Sequence, residues 1–74
     1  MTDQEILELL AEIEHNQWCD WSKELVKTEM ISSKRKNRWR TLWKPYEQLT
    51  EEEKEMDRFY ARKILQLLEN IAKE

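Results

Sequence analysis

The sequence predicts an all-α fold: two long antiparallel helices with a short basic helix between them, in a single small domain over residues 1–74. Three observations carry this prediction. Apolar residues recur at steps of three and four, and no stretch alternates with period two. Two hydroxyl-x-x-Glu capping boxes, Thr2–Glu5 and Thr50–Glu53, each precede such a run. The chain has no Gly and one Pro, which excludes glycine hairpin turns and leaves few helix breaks.

The first helix opens at Thr2 and runs to about Thr28. Its stripe is Ile6, Leu7, Leu10, Ile13 or Glu14, Trp18, Trp21 and Leu25. The segment Glu29 to Ser33 breaks the pattern and supplies N-cap candidates. A short basic helix spans Lys34 to Leu42 or Trp43, with Trp39, Leu42 and Trp43 on one face. Pro45 stops it, because proline disfavours the α conformation at Lys44. Tyr46 to Leu49 is a brief connection. The last helix starts at Thr50, where clustered acids suit the helix dipole, and runs to about Ala72. Its stripe is Met56, Phe59 or Tyr60, Ile64, Leu67 or Leu68, and Ile71. With one thin core, the long helices should form a hairpin with the middle segment across them.

Composition excludes several functions. Without Gly there is no phosphate-cradling glycine loop. One Cys excludes an intramolecular disulfide and a Cys-based zinc site. No apolar run approaches a membrane span, and the N-terminus lacks a basic and an apolar leader region, so the expectation is a soluble cytoplasmic domain.

The net charge of −3 hides a sharp pattern. Residues 1–14 carry five acids and no base; residues 30–46 carry six bases and no acid; residues 47–57 carry six acids against Lys54 alone. Either these blocks neutralise one another, or the middle island is an anion site of limited size.

Catalytic candidates are thin. His15 and Cys19 share a helical face at i and i+4, a spacing that suits a metal or a thiolate–base pair, but no third group completes it. A buried structural histidine and a small buried thiol explain the pair as well. No isolated carboxylate pair stands in an apolar run. The expectation is a non-enzymatic chain with no metal and no cofactor.

The aromatic residues say more. Trp18 and Trp21 lie on the first helix, Trp39 and Trp43 in the basic segment, and Tyr46, Phe59 and Tyr60 follow. Some must fill the core, Trp21 and Trp39 first. Yet Arg38-Trp39-Arg40 and Trp43-Lys44 alternate cations with indoles. Flat rings stack on a nucleobase while Arg and Lys hold a phosphate. The same residue types also dominate protein interfaces.

The stretch Pro45-Tyr46-Glu47-Gln48-Leu49, continuing through Glu53-Lys54 to Asp57-Arg58, resembles the ryanodine receptor repeat (RyR) domain family. His15-x-x-Trp18 and Lys23 resemble the same pattern upstream, and the likeness covers about residues 13–70. The family's central Gly-aromatic-Gly turn has no counterpart here, since Lys27 to Lys36 is shortened and rewritten. Short free-standing versions resemble phage and prophage proteins. The resemblance implies a nucleotide-derived ligand, including signals used in antiviral defence.

The resulting expectation is a binding module for a small anionic, nucleotide-like ligand, such as a phage sponge for a defence signal. Candidate ligand-binding residues are Trp18, Arg38, Trp39, Arg40, Trp43, Lys44, Tyr46 and Arg58. A chain this short would complete its pocket as a homo-oligomer, a dimer or higher. The alternatives are a protein–protein interaction module and a weak nucleic-acid binder using the 34–44 island.

Overall fold

The computed structural model describes residues 1–74 and contains helices only. Helix α1 spans Asp3–Thr28, α2 spans Ser33–Arg40, a single 3-10 turn covers Tyr46–Gln48, and α3 spans Glu51–Ala72. Both capping boxes form. Thr2 Oγ1 accepts from Glu5 N–H while Glu5 accepts from Thr2 N–H, and Thr50 and Glu53 repeat the exchange. Four N–H groups that helix geometry leaves without partners are thereby satisfied. No helix is long and apolar enough to cross a membrane.

α1 and α3 pack as an antiparallel hairpin. Leu7 and Leu10 share an apolar cluster with Ala61 and Leu65, while Glu14 to Trp18 share a cleft with Glu53 to Tyr60. Ala11 and Ala61, both 0% exposed, lie in the buried cluster between the two helices. Small side chains there let the two backbones come together. Tyr46 and Leu49 close the cluster from the connection, and burying a leucine of that size contributes about 2 kcal/mol.

Three sequence expectations need correction. α2 ends at Arg40, before Leu42 or Trp43. Its last turn is closed by Thr41, whose hydroxyl donates to Arg38 O at 2.7 Å, several residues before Pro45 could act. Trp21 is 55% exposed and is no core residue; the buried line of α1 is Leu7, Ala11, His15, Cys19 and Ser22. This line steps by four and then three, so the helix period is right, but its C-terminal half is polar or small. On α3 only Ala61 is buried, and Met56, Phe59, Tyr60, Leu67, Leu68 and Ile71 all remain exposed. The buried face of α3 is narrow, and most of the broad apolar stripe falls outside it.

Candidate functional site: an aromatic cleft where the three helices meet

The middle segment is held onto α1 by polar side chains. α2 ends early, so the carbonyl of Lys44 needs a donor from elsewhere, while that of Leu42 accepts from the Lys44 N–H at 2.9 Å. His15, 3% exposed, donates from Nε2 to Lys44 O at 2.7 Å. Cys19 Sγ donates weakly to Leu42 O at 3.9 Å. The Trp43 indole N–H donates to Ser22 Oγ at 2.9 Å, and the Ser22 hydroxyl donates on to Cys19 O at 3.2 Å. The small and polar buried residues of α1 are therefore the docking points of the connection. No group of three His, Cys, Asp or Glu side chains is placed to hold a metal.

His15 Nδ1 faces Asp57 Oδ2 at 3.5 Å. The partner of Asp57 is thus a ring on α1, and no base of the middle segment pairs with it. Burial pushes the Asp57 carboxyl up, His15 pulls it down, and neighbouring Glu14 pushes it up again, with a net rise.

Aromatic rings join α2 to α1. Trp39 meets Trp18 edge to face at 5.9 Å between centroids, and Trp21 at 6.1 Å. His15 stacks beside Trp18 at 6.4 Å. Beside this cluster lies a cleft of about 540 Å³ between α1, α2 and α3. Its apolar wall is Trp18, Trp39, Leu42, Leu49, Met56 and Tyr60; its polar groups are Glu14, His15, Arg38, Glu53 and Asp57. That volume lies within the range of small-ligand pockets.

Of the candidate ligand-binding residues, the structure brings Trp18, Arg38 and Trp39 into this cleft. Arg40 lies outside it on α2, bonded to Asn37 Oδ1. Trp43 is occupied by Ser22, with Lys23 Nζ 5.9 Å from its ring. Lys44 gives its carbonyl to His15 and its ammonium to Glu53 at 3.8 Å. Tyr46 and Arg58 belong to a separate network. The Tyr46 hydroxyl donates to Glu8 Oε2, and Arg58 reaches Glu8 Oε1 from Nε at 2.8 Å and from Nη2 at 2.7 Å. Arg58 Nη1 also reaches Glu51 at 2.9 Å. Burial works against the charge on Glu8, but the Tyr46 hydroxyl and Arg58 outweigh it and hold the carboxyl below its usual range. Burial and Glu8 together push the Tyr46 phenol well up. These residues fasten the connection and α3 to α1.

Glu8 thus contributes stability that is complete above the ordinary Glu value of 4.5 and is lost as pH falls through its depressed folded value. Glu8→Gln should unfold at lower urea than the parent at about pH 7, and the gap should narrow toward about pH 3. Urea titrations at both pH values check this; a gap that stays constant contradicts it.

Glu14, Glu53 and Met56 appear in the sequence only as stripe or capping-box positions, not as candidate ligand-binding residues. Their signal is periodicity: Glu14 precedes Trp18 by four, and Glu53, Met56, Asp57 and Tyr60 step along one face of α3. The charge blocks also mostly fail to meet. Of the six bases in residues 30–46 only Lys44 forms an ion pair, so Lys34, Arg35, Lys36, Arg38 and Arg40 face no carboxylate within 4.0 Å.

Neither a curated protein nor a solved structure matches the chain. Residues 2–72 match the family described as the RyR domain, nearly the whole chain. Of the residues that carry the likeness, Tyr46, Asp57 and Arg58 tie the connection and α3 to α1, through Glu8 and His15. The chain therefore belongs to the RyR domain family.

Proposed function

We propose that this chain is a non-enzymatic binding module whose cleft takes a small nucleotide-like ligand. The observation that carries the reading is the meeting of Trp18, Trp39 and Arg38 at one cleft, with the Arg38 guanidinium unpaired. An indole face stacks on a base, and a free guanidinium holds a phosphate oxygen. The three carboxylates Glu14, Glu53 and Asp57 refine the ligand's shape. They repel a second phosphate inside the cleft and accept hydrogen bonds, so the buried part of the ligand is a base with amino or ring N–H donors. Any further phosphate lies outward, beside the unpaired cations of α2.

His15 is 3% exposed with Nε2 bonded to Lys44 O, and Cys19 is buried, so neither is set to attack a ligand. Binding without conversion is sequestration. In the cytoplasm of an infected cell this would make the chain a sponge for a nucleotide signal, including one used against a phage.

A thermal-shift panel of mononucleotides and cyclic dinucleotides tests the reading. At least one should raise the melting temperature in step with its concentration. If no nucleotide does so while a pull-down recovers one protein, the chain is an interaction module. If long DNA or RNA binds with steep salt dependence, and Arg38→Ala loses binding while Trp18→Ala does not, the basic helix is a nucleic-acid surface.

A further inference from the structure

The surface of this chain is too large for its mass. A compact monomer of 9.2 kDa exposes roughly 4,900 Å². This chain exposes 5789 Å², an excess of about 900 Å². The radius of gyration is 14.6 Å, against about 11 Å for a compact domain of this length. A stable interface buries about 800 Å² on each partner. The excess therefore matches one side of one interface.

One exposed apolar row runs along α3: Met56, Tyr60, Ile64, Leu67 and Ile71. Met56 is 66% exposed, Tyr60 56%, Leu67 58% and Ile71 56%. At 100° per residue the row lies on the flank of α3 beside Ala61, the contact to α1. The row is also self-complementary. Turned end for end about the point between Lys63 and Ile64, Met56 falls on Ile71 and Tyr60 on Leu67, with Ile64 beside the axis, so apolar meets apolar at both pairs. A two-fold interface requires that property, and a face for an unrelated partner does not.

We infer that this row is a self-association face, on which α3 of a second copy packs antiparallel and covers the rim of the cleft. Met56 and Tyr60 both line the cleft and belong to the row, so Ile71 and Leu67 of the second copy would sit at its mouth. The dimer stands independently of the ligand; the closing of the cleft rests on the function proposed above.

Sedimentation of the full chain across the micromolar range tests the dimer. The expected mass is twice 9.2 kDa, with a melting temperature that rises with protein concentration. Leu67→Glu and Ile71→Lys should each sediment at 9.2 kDa with unchanged helical circular dichroism, because both side chains are exposed in the single chain. Met30→Glu, at an equally apolar but unconnected exposed position, should remain dimeric. A parent chain that sediments at 9.2 kDa overturns the inference, as do Leu67→Glu and Ile71→Lys if both stay dimeric. A dimer that binds no nucleotide leaves this inference standing and removes the ligand reading. If nucleotides bind, weaker binding by the monomeric variants supports closure of the cleft, and equal binding excludes it.

Discussion

Arg58→Met should destabilise the fold by about 2 kcal/mol, read as a lower urea midpoint. Removing one partner of a fully buried ion pair costs roughly 3–5 kcal/mol, whereas exposed pairs contribute about 1 kcal/mol or less. Arg58 sits between these cases: its side chain is 13% exposed, and that of Glu8 is 31%. Without the guanidinium, Glu8 keeps only the Tyr46 hydroxyl and the Gln4 amide as donors. The charge on Glu8 is then left half-buried beside Tyr46. Adding Glu8→Gln to Arg58→Met should therefore cost less than Glu8→Gln alone, the sign of a direct coupling. A loss below about 0.5 kcal/mol for Arg58→Met would place the residue with ordinary surface ion pairs.

The largest effect on binding should come from Trp18→Ala, at about 30-fold weaker affinity, since stacking on an aromatic side chain contributes about 2 kcal/mol per base. Arg38→Ala should cost about 10-fold, the scale of one charged hydrogen bond. Arg58→Met, assayed at a temperature where it remains folded, should leave affinity within about two-fold, because Arg58 does not line the cleft. Titration calorimetry on the three variants separates the cleft from the Glu8 network. Equal losses from Arg58→Met and Trp18→Ala would return Arg58 to the site.

Local chemistry announced the helix ends that local chemistry controls. The capping boxes at Thr2 and Thr50 involve residues three apart, so α1 and α3 begin where the sequence places them. The path of the chain after α2 depends on Trp43 reaching Ser22 across 21 positions, and on His15 claiming the carbonyl of Lys44 across 29. Neither contact leaves a local trace. The facing sides of α1 and α3 were misread for a related reason. Hydrophobic size favours the Met56–Ile71 row, but the face of α3 that is buried against α1 is the one carrying Ala61, where a small side chain lets the helices pack.

The candidate site divides along the same line. Trp18, Arg38 and Trp39 lie on helical faces whose composition already suggests stacking on a base beside a phosphate, and the fold brings them together. Tyr46 and Arg58 have the same composition but a different partner. Glu8 lies 38 and 50 positions away from them, and it draws both into a structural network. The carboxylates of the cleft change the expectation most. A basic island suggested an anion site alone, whereas Glu14, Glu53 and Asp57 beside Arg38 suit a ligand with a donor edge and one anionic group.

The four indole N–H resonances of the chain, assigned by Trp→Phe variants, give the most direct test of the cleft. On titration with the nucleotide that stabilises the protein most, the Trp18 and Trp39 signals should move together and saturate. The Trp43 signal, bonded to Ser22, should stay in place. Movement confined to the backbone amides of Lys34 to Arg40, with Trp18 and Trp39 unmoved and the effect erased by salt, would contradict a ligand cleft.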